Sequence, residues 1–289
     1  MSNLNFRSAL TRRRFLQWVV GLSASTVAAA TYVRVIEPRW LAVDAFELPI
    51  KGLSSALDGK RIAQLSDIHL SEDFSPERFA LAIDEVANQA PDWLVLTGDY
   101  VTDDAHLAEA LVAPLRALTM PIYAIYGNHD LWSGQTTIRR HLQSANVNIL
   151  LNAGDQIDSD LYLAGIDDVW SGSPSLKSAL RNAPSGMPTI LLAHEPDFFD
   201  TVLYEEAPIA LQLSGHSHGG QVRIPTLKRE PSGHFSFAPI LPRYGRRYPI
   251  GLRKINERYV YTNRGLGTAG PPVRLNCRPE LTIITLRSA

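Results

Sequence analysis

Five short apolar runs in this chain end the same way, each opening directly onto side chains that favour divalent cations. They are Leu65-Ser66-Asp67-Ile68-His69, Leu96-Thr97-Gly98-Asp99, Ile125-Tyr126-Gly127-Asn128-His129, Leu192-Ala193-His194 and Leu213-Ser214-Gly215-His216-Ser217-His218. A short apolar run bounded by turn residues reads as a buried strand. Ligand groups at the carboxyl ends of several strands are how an α/β sheet assembles one site from distant segments. Taken singly, each group is weak. Asp67-Ile68-His69 can be a surface turn, His194 a satisfied core histidine, and Gly127-Asn128-His129-Asp130 a turn that Asn and Gly favour. Two imidazoles one residue apart, His216 and His218, are harder to dismiss, because burying both without a partner is costly. Five of the eight histidines fall inside these groups, leaving His106, His141 and His234 outside. The shared strand-end context makes the five groups one metal site.

The donors on offer are carboxylate, amide oxygen and imidazole, with no thiolate, a set that suits hard and borderline divalent ions. Two ions held close together need a bridging ligand, and Asp99, on a glycine turn at a strand end, is the candidate. Such a pair activates water and neutralises charge on a phosphoryl group during in-line displacement. His129, beside Asn128, is placed to protonate a leaving oxygen. The expected chemistry is phosphoester hydrolysis.

Along the chain, residues 40–50 read as an edge strand and 61–66 as the strand that delivers Asp67 and His69. Pro76 opens a helix to about Gln89, with Phe79, Ile83 and Val86 on one face. Strands are expected at 93–97, 121–126, 147–151, 162–166, 189–193, 209–213, 258–262 and 281–286. Helices are expected at 105–118, 136–144 and 176–181, and Asn152-Ala153-Gly154-Asp155 reads as a turn. Strand–helix alternation followed by mostly strands argues an α/β sandwich in one domain.

The first 40 residues stand apart. They carry six arginines against Glu37 alone. Thr11-Arg12-Arg13-Arg14-Phe15-Leu16-Gln17 precedes an uncharged stretch from Trp18 to Val33. That pattern resembles a twin-arginine export signal, with Ala28-Ala29-Ala30 as a cleavage sequence if it is removed and a membrane anchor if it is retained. The expected division is therefore 1–40 as signal or anchor and 41–289 as the domain. Residues 219–258 hold nine Lys/Arg against Glu230 and Glu257, a balance that suits an anionic substrate or an anionic membrane surface. Cys277 is the sole cysteine, so no intrachain disulfide can form.

In order and spacing, Asp67-x-His69, Gly98-Asp99, Gly127-Asn128-His129-Asp130, His194 and Gly215-His216-x-His218 resemble the calcineurin-like metallophosphoesterase superfamily over roughly residues 60–286. The resemblance implies a four-layer αββα sandwich. It also implies one ion on Asp67, His69, Asp99 and His218, and a second on Asp99, Asn128, His194 and His216. His129 would be the general acid, with Asp130 in support. Gly219-Gly220-Gln221-Val222-Arg223, Pro242-Arg243-Tyr244-Gly245, Asn263-Arg264-Gly265-Leu266-Gly267 and Asn276-Cys277-Arg278-Pro279-Glu280 are similar to the branch of bacterial exported phosphodiesterases of the YaeI/YkuE type. That branch implies phosphodiester hydrolysis with Mn, Fe or Zn at the cell envelope. The chain departs from protein Ser/Thr phosphatases, which carry an arginine after the second group where Thr102-Asp103-Asp104 stands here. It also departs from purple acid phosphatases, because Thr102 occupies the place of their ligand tyrosine.

Expected partners are a phosphoester substrate, phospholipid or nucleotide-lipid in kind, the twin-arginine translocase during export, and a membrane surface. The expected location is the periplasm or the outer face of the cytoplasmic membrane. A pyrophosphatase of the UDP-2,3-diacylglucosamine type is the nearest alternative. A nuclease would want a longer basic track with stacking platforms, and a non-catalytic envelope scaffold would not need His129.

Overall fold

Trp93-Leu94-Val95-Leu96 is buried at every position, and a strand apolar on both faces requires a packed layer above and below it. The computed structural model, which describes residues 12–231 and 233–289, supplies those layers. The first half of the chain contains α1 (Arg12–Thr31), β1 (Ala42–Ile50), β2 (Arg61–Leu65), α2 (Pro76–Gln89), β3 (Trp93–Leu96), α3 (Val112–Arg116), β4 (Ile122–Ala124), α4 (Asn128–Ser133), α5 (Gln135–Ser144) and β5 (Asn148–Ile149). The second half adds β6 (Ala153–Asp158), β7 (Leu161–Gly165), α6 (Leu176–Ala179), β8 (Thr189–Leu192), α7 (Phe199–Tyr204), β9 (Leu211–Ser214), β10 (Ile224–Pro225), β11 (Ser236–Phe237), β12 (Gly251–Ile255), β13 (Arg258–Thr262) and β14 (Glu280–Ser288).

Two mixed six-stranded sheets result, ordered β1-β14-β2-β3-β4-β5 and β12-β13-β9-β8-β7-β6. Period-two alternation divides the side chains among three cores. Ile62, Trp93, Val95 and Ile284 of the first sheet meet Leu163, Ile190, Leu192 and Leu213 of the second in the middle. Ala63, Leu65, Leu94 and Leu96 point outward onto Phe79, Ile83 and Val86 of α2 and Ile138 and Leu142 of α5. On the opposite outer side Leu191 packs with Leu176 of α6 and Phe199 and Val202 of α7. The layering is αββα, as expected.

Register then aligns the ligand-bearing ends. Leu65 sits opposite Leu96 and Leu96 opposite Ala124 in parallel strands, and Leu192 sits opposite Leu213. Each of these residues is followed within four positions by a donor side chain, so the donors gather along one edge of both sheets.

Two expectations need correction. Residues 152–155 are not a free turn, because β6 begins at Ala153 and pairs antiparallel with β7. Gly154 is there because any Cβ would lie 2.4 Å from the Tyr162 ring, so close approach and not turn formation explains the glycine. The expected helix at 105–118 is a 3-10 helix over Ala105–Leu111 that passes into α3. Within the basic stretch 219–258, Tyr248 is buried against Phe199 with ring centroids 5.5 Å apart.

The helix α1 has 20 residues, none of them buried, about 30 Å at the helical rise and enough to cross a hydrocarbon layer. Its apolar, uncovered surface is consistent with a signal or an anchor; Thr11, the first residue of the arginine motif, lies outside the described residues.

Candidate metal centre

Backbone geometry at the strand ends is the first mark of the site. Asp67, His69, Asp99, His216 and His218 all adopt positive φ, between 48° and 67°, a left-handed conformation that costs L-residues roughly 1–2 kcal/mol each. Hydrogen bonds between turns hold them there. Asp67 N–H donates to Gly98 O at 3.0 Å and His69 N–H to Asp99 O at 3.0 Å. His216 N–H donates to the Asp67 carboxylate at 2.9 Å. Strain of this kind persists where surrounding structure over-determines it, characteristically at functional sites.

The donors so placed form three overlapping triads, each with its ligand atoms within 4.8 Å of one another: Asp67, His69 and His218; His69, Asp99 and His129; Asp99, His194 and His216. Asp99 Oδ2 lies 3.5 Å from His69 Nε2 and 3.2 Å from His194 Nε2. Asp67 Oδ1 is 3.3 Å from His218 Nε2. Asn128 is buried beside them and belongs to no triad of His and Asp. Asp130 also lies outside the triads. Its carboxylate accepts from the backbone N–H groups of Asp99, Tyr100 and Gly127 at 2.8, 2.8 and 2.9 Å, pinning the turn that carries Asp99 to the one that carries Asn128.

Tautomers follow from the partners, because a carbonyl can only accept. His194 Nδ1–H donates to Thr97 O at 2.6 Å, which turns Nε2 toward Asp99. His216 Nε2–H donates to Arg243 O at 2.7 Å, leaving Nδ1. His129 Nδ1–H donates to Thr102 O at 2.7 Å, and its half-buried Nε2 remains available. Burial holds His69 down to about 3 and His216 down to about 4, so both imidazoles are neutral donors at physiological pH. Burial raises Asp67 to about 6. It works in the same direction on Asp99, but the charge and hydrogen bond of His194 outweigh it and hold that carboxyl well below its usual range, and Asp99 in turn raises His194.

The residues fit a pair of cations. Asn128 Oδ1 and His194 Nε2 are buried without a hydrogen-bond partner, and an orphaned buried polar atom costs about 1–3 kcal/mol. A cation among oxygen and nitrogen donors supplies what they lack. Tyr100 is excluded as a ligand, since its hydroxyl is buried and donates to Ile125 O at 2.7 Å.

Comparison with known proteins agrees with the geometry. The family model for calcineurin-like phosphoesterases matches residues 60–220. The chain belongs to that family. It is 35% identical over 298 residues to the phosphodiesterase YaeI of Escherichia coli (strain K12), covering 96% of this chain and 99% of that one. It is 32% identical over 293 residues to the uncharacterized metallophosphoesterase YkuE of Bacillus subtilis (strain 168), covering 96% and 98%. A transmembrane protein with a metallophosphoesterase domain from Bos taurus is 28% identical over 300 residues, covering 96% of this chain and 64% of that one. This calcineurin-like phosphoesterase is thus a metal-dependent hydrolase of phosphoesters with a dimetal His/Asp site.

Sequence reasoning missed the aromatic rim of that site. Trp132 lies tilted against His129 at 4.9 Å and meets Trp170 edge-on at 5.4 Å, and Trp170 in turn meets His216 at 5.8 Å and Tyr244 at 6.4 Å. Both tryptophans are partly open to solvent. Trp132 was within reach of inspection, four residues past Asn128 on the same helix. Trp170 was not, because it arrives through a loop pinned by Glu195, whose carboxylate accepts from Val169 and Trp170 N–H at 3.0 Å each.

Proposed function

We propose that the chain hydrolyses phosphodiesters with one ion held by Asp67, His69, Asp99 and His218 and a second by Asp99, Asn128, His194 and His216. The observation that carries this reading is the sharing of Asp99 between two triads whose outer members lie on different sheets. Ions in those positions would supply Lewis acidity toward phosphoryl oxygens and a nucleophile at neutral pH. The chain's own work is positional. His129, fixed at Nδ1 by Thr102 O, presents Nε2 to the leaving oxygen, and in its doubly protonated form it delivers the Nε2 proton as the ester bond breaks, keeping the one on Nδ1. Asp130 keeps the Asp99 and Asn128 turns in register. Manganese, iron and zinc all suit this donor set.

The substrate we favour is an envelope or lipid-linked phosphodiester. The exposed apolar α1 and the basic stretch 219–258 support action at an anionic membrane surface after twin-arginine export, with residues 1–40 as signal or anchor and 41–289 as the catalytic body. The exposed faces of Trp132 and Trp170 also suit a flat ring on the leaving side, as in a nucleotide–lipid diphosphate. Turnover of that compound in preference to simple phosphodiesters would move the assignment to pyrophosphatase.

Metal content of purified Asp99→Asn is the deciding measurement. We expect loss of metal from both positions and loss of turnover together. A variant retaining two ions per chain and near-normal turnover would end the bridging assignment.

A further inference from the structure

Beside the metal donors runs an apolar groove of about 300 Å³, walled on one side by His216-Ser217-His218 and on the others by Ile240, Leu241, Pro271 and Val273. Ile240 is 80% exposed, although a soluble enzyme acting on a small polar ester has no use for it there. Nearby Ile224 and Phe237 of the β10–β11 hairpin, and Leu227 in its loop, are exposed as well. A clustered exposed apolar surface marks an interaction site.

What the groove adjoins decides its occupant. Residues 269–274 alternate in their contacts. Ala269, Pro271 and Val273 line the groove, while Pro272 faces Arg34, Val35 and Pro38 across a small cleft and Arg274 N–H donates to Val33 O at 2.8 Å. One strip of chain therefore has the groove on one side and the end of the apolar helix on the other. Arg34 and Arg39, both exposed, stand at that exit, where basic side chains meet anionic headgroups.

We propose that this groove takes the hydrocarbon chain of a phosphodiester lipid drawn from the leaflet that α1 enters, with the headgroup ester presented to the donors at His216 and His218. The inference rests on the phosphodiesterase reading above and adds the element that selects the substrate. The phosphate lies among the metal donors, the tail runs along Ile240, Leu241 and Val273, and the leaving group faces His129 and the tryptophans. Specificity is thereby divided between two walls, an apolar one for what stays on the phosphate and an aromatic one for what leaves.

The test uses the full chain, metal-loaded, and nitrophenyl alkyl phosphates with ethyl, butyl and octyl tails, each below its micelle-forming concentration. Burying a methylene strengthens binding by at most about fourfold, so kcat/KM should rise by about tenfold or more from ethyl to octyl, carried by KM. Ile240→Asn, at an exposed position, and Val273→Thr, which keeps shape, should both flatten the series. Tyr204→Ser, which removes an exposed side chain on α7, should keep the wild-type slope. A flat wild-type series, or a slope that survives Ile240→Asn and Val273→Thr, overturns the proposal. Calorimetric binding of ethyl and octyl phosphate runs in parallel. Binding that tightens with tail length while no diester turns over would refute the phosphodiesterase reading and leave the groove assignment standing.

Discussion

Asp130→Asn exchanges one oxygen for an NH2 and should loosen two turns of the metal site at once. In the native chain Oδ2 accepts from Asp99 and Gly127 N–H and Oδ1 from Tyr100 N–H, and the residue is fully buried. An asparagine has a single oxygen to offer. If that oxygen takes the two-bond side, the Tyr100 N–H is left facing another donor, at a cost of about 1–3 kcal/mol. The two remaining bonds lose their charge assistance, about 1 kcal/mol each. Burial and the neighbouring Asp99 both push Asp130 toward its neutral form, so removing the charge recovers part of this loss. The net expectation is about 2–3 kcal/mol, which for a chain of this size lowers Tm by roughly 3–5 °C. Thermal unfolding followed by circular dichroism on the metal-free proteins measures it without interference from metal binding. Because both Asp130 oxygens are engaged by backbone, the ratio of activity on poor and good leaving groups should stay at its wild-type value. A Tm within about 1 °C of wild type would show that the carboxylate does not hold these turns. A changed leaving-group ratio would show that Asp130 takes part in proton transfer.

Two further outcomes follow from the same geometry. His129→Gln should retain both ions and lose roughly 10²–10⁴-fold on alkyl leaving groups but far less on nitrophenolate, which needs no proton; equal losses on both esters would remove His129 as the acid. Gly215→Ala places a Cβ 1.9 Å from Ser66 Oγ and 2.2 Å from Asp67 Oδ2, so metal content should fall with little change in the far sheet; full metal occupancy would mean that the turn can yield.

The parts of the fold read correctly from sequence are those where one residue type has one dominant reason to be present. A four-residue run such as Trp93–Leu96 can only be buried, and α2 declares its ends with Pro76 and its face with Phe79, Ile83 and Val86. The candidate donors were legible for a similar cause, since each closely follows a buried strand, and at Asp67, His69, Asp99, His216 and His218 the chain turns left-handed. Where two causes give the same residue, reading failed. Gly154 serves the Tyr162 ring yet looks like turn chemistry, which concealed β6. The helix α4 spans six residues, too short to display a hydrophobic period, and Pro114 within α3 gave no warning that the preceding turns would tighten to 3-10. Trp170 depends on a loop tethered by Glu195, a tertiary fact with no local signature.

The junction between α1 and the body has its own consequence for maturation. Val33 and Glu37 both fasten to the segment beneath His218, the one through Arg274 N–H and the other through its carboxylate on Cys277 N–H at 2.5 Å, while Cys277 Sγ donates to His218 O. All of these contacts begin downstream of Ala30. A peptidase cutting at the alanine triplet would free the enzyme from its tether and leave the clasp under the histidine turn untouched. Shedding and retention would then yield the same catalytic machine, differing in address alone.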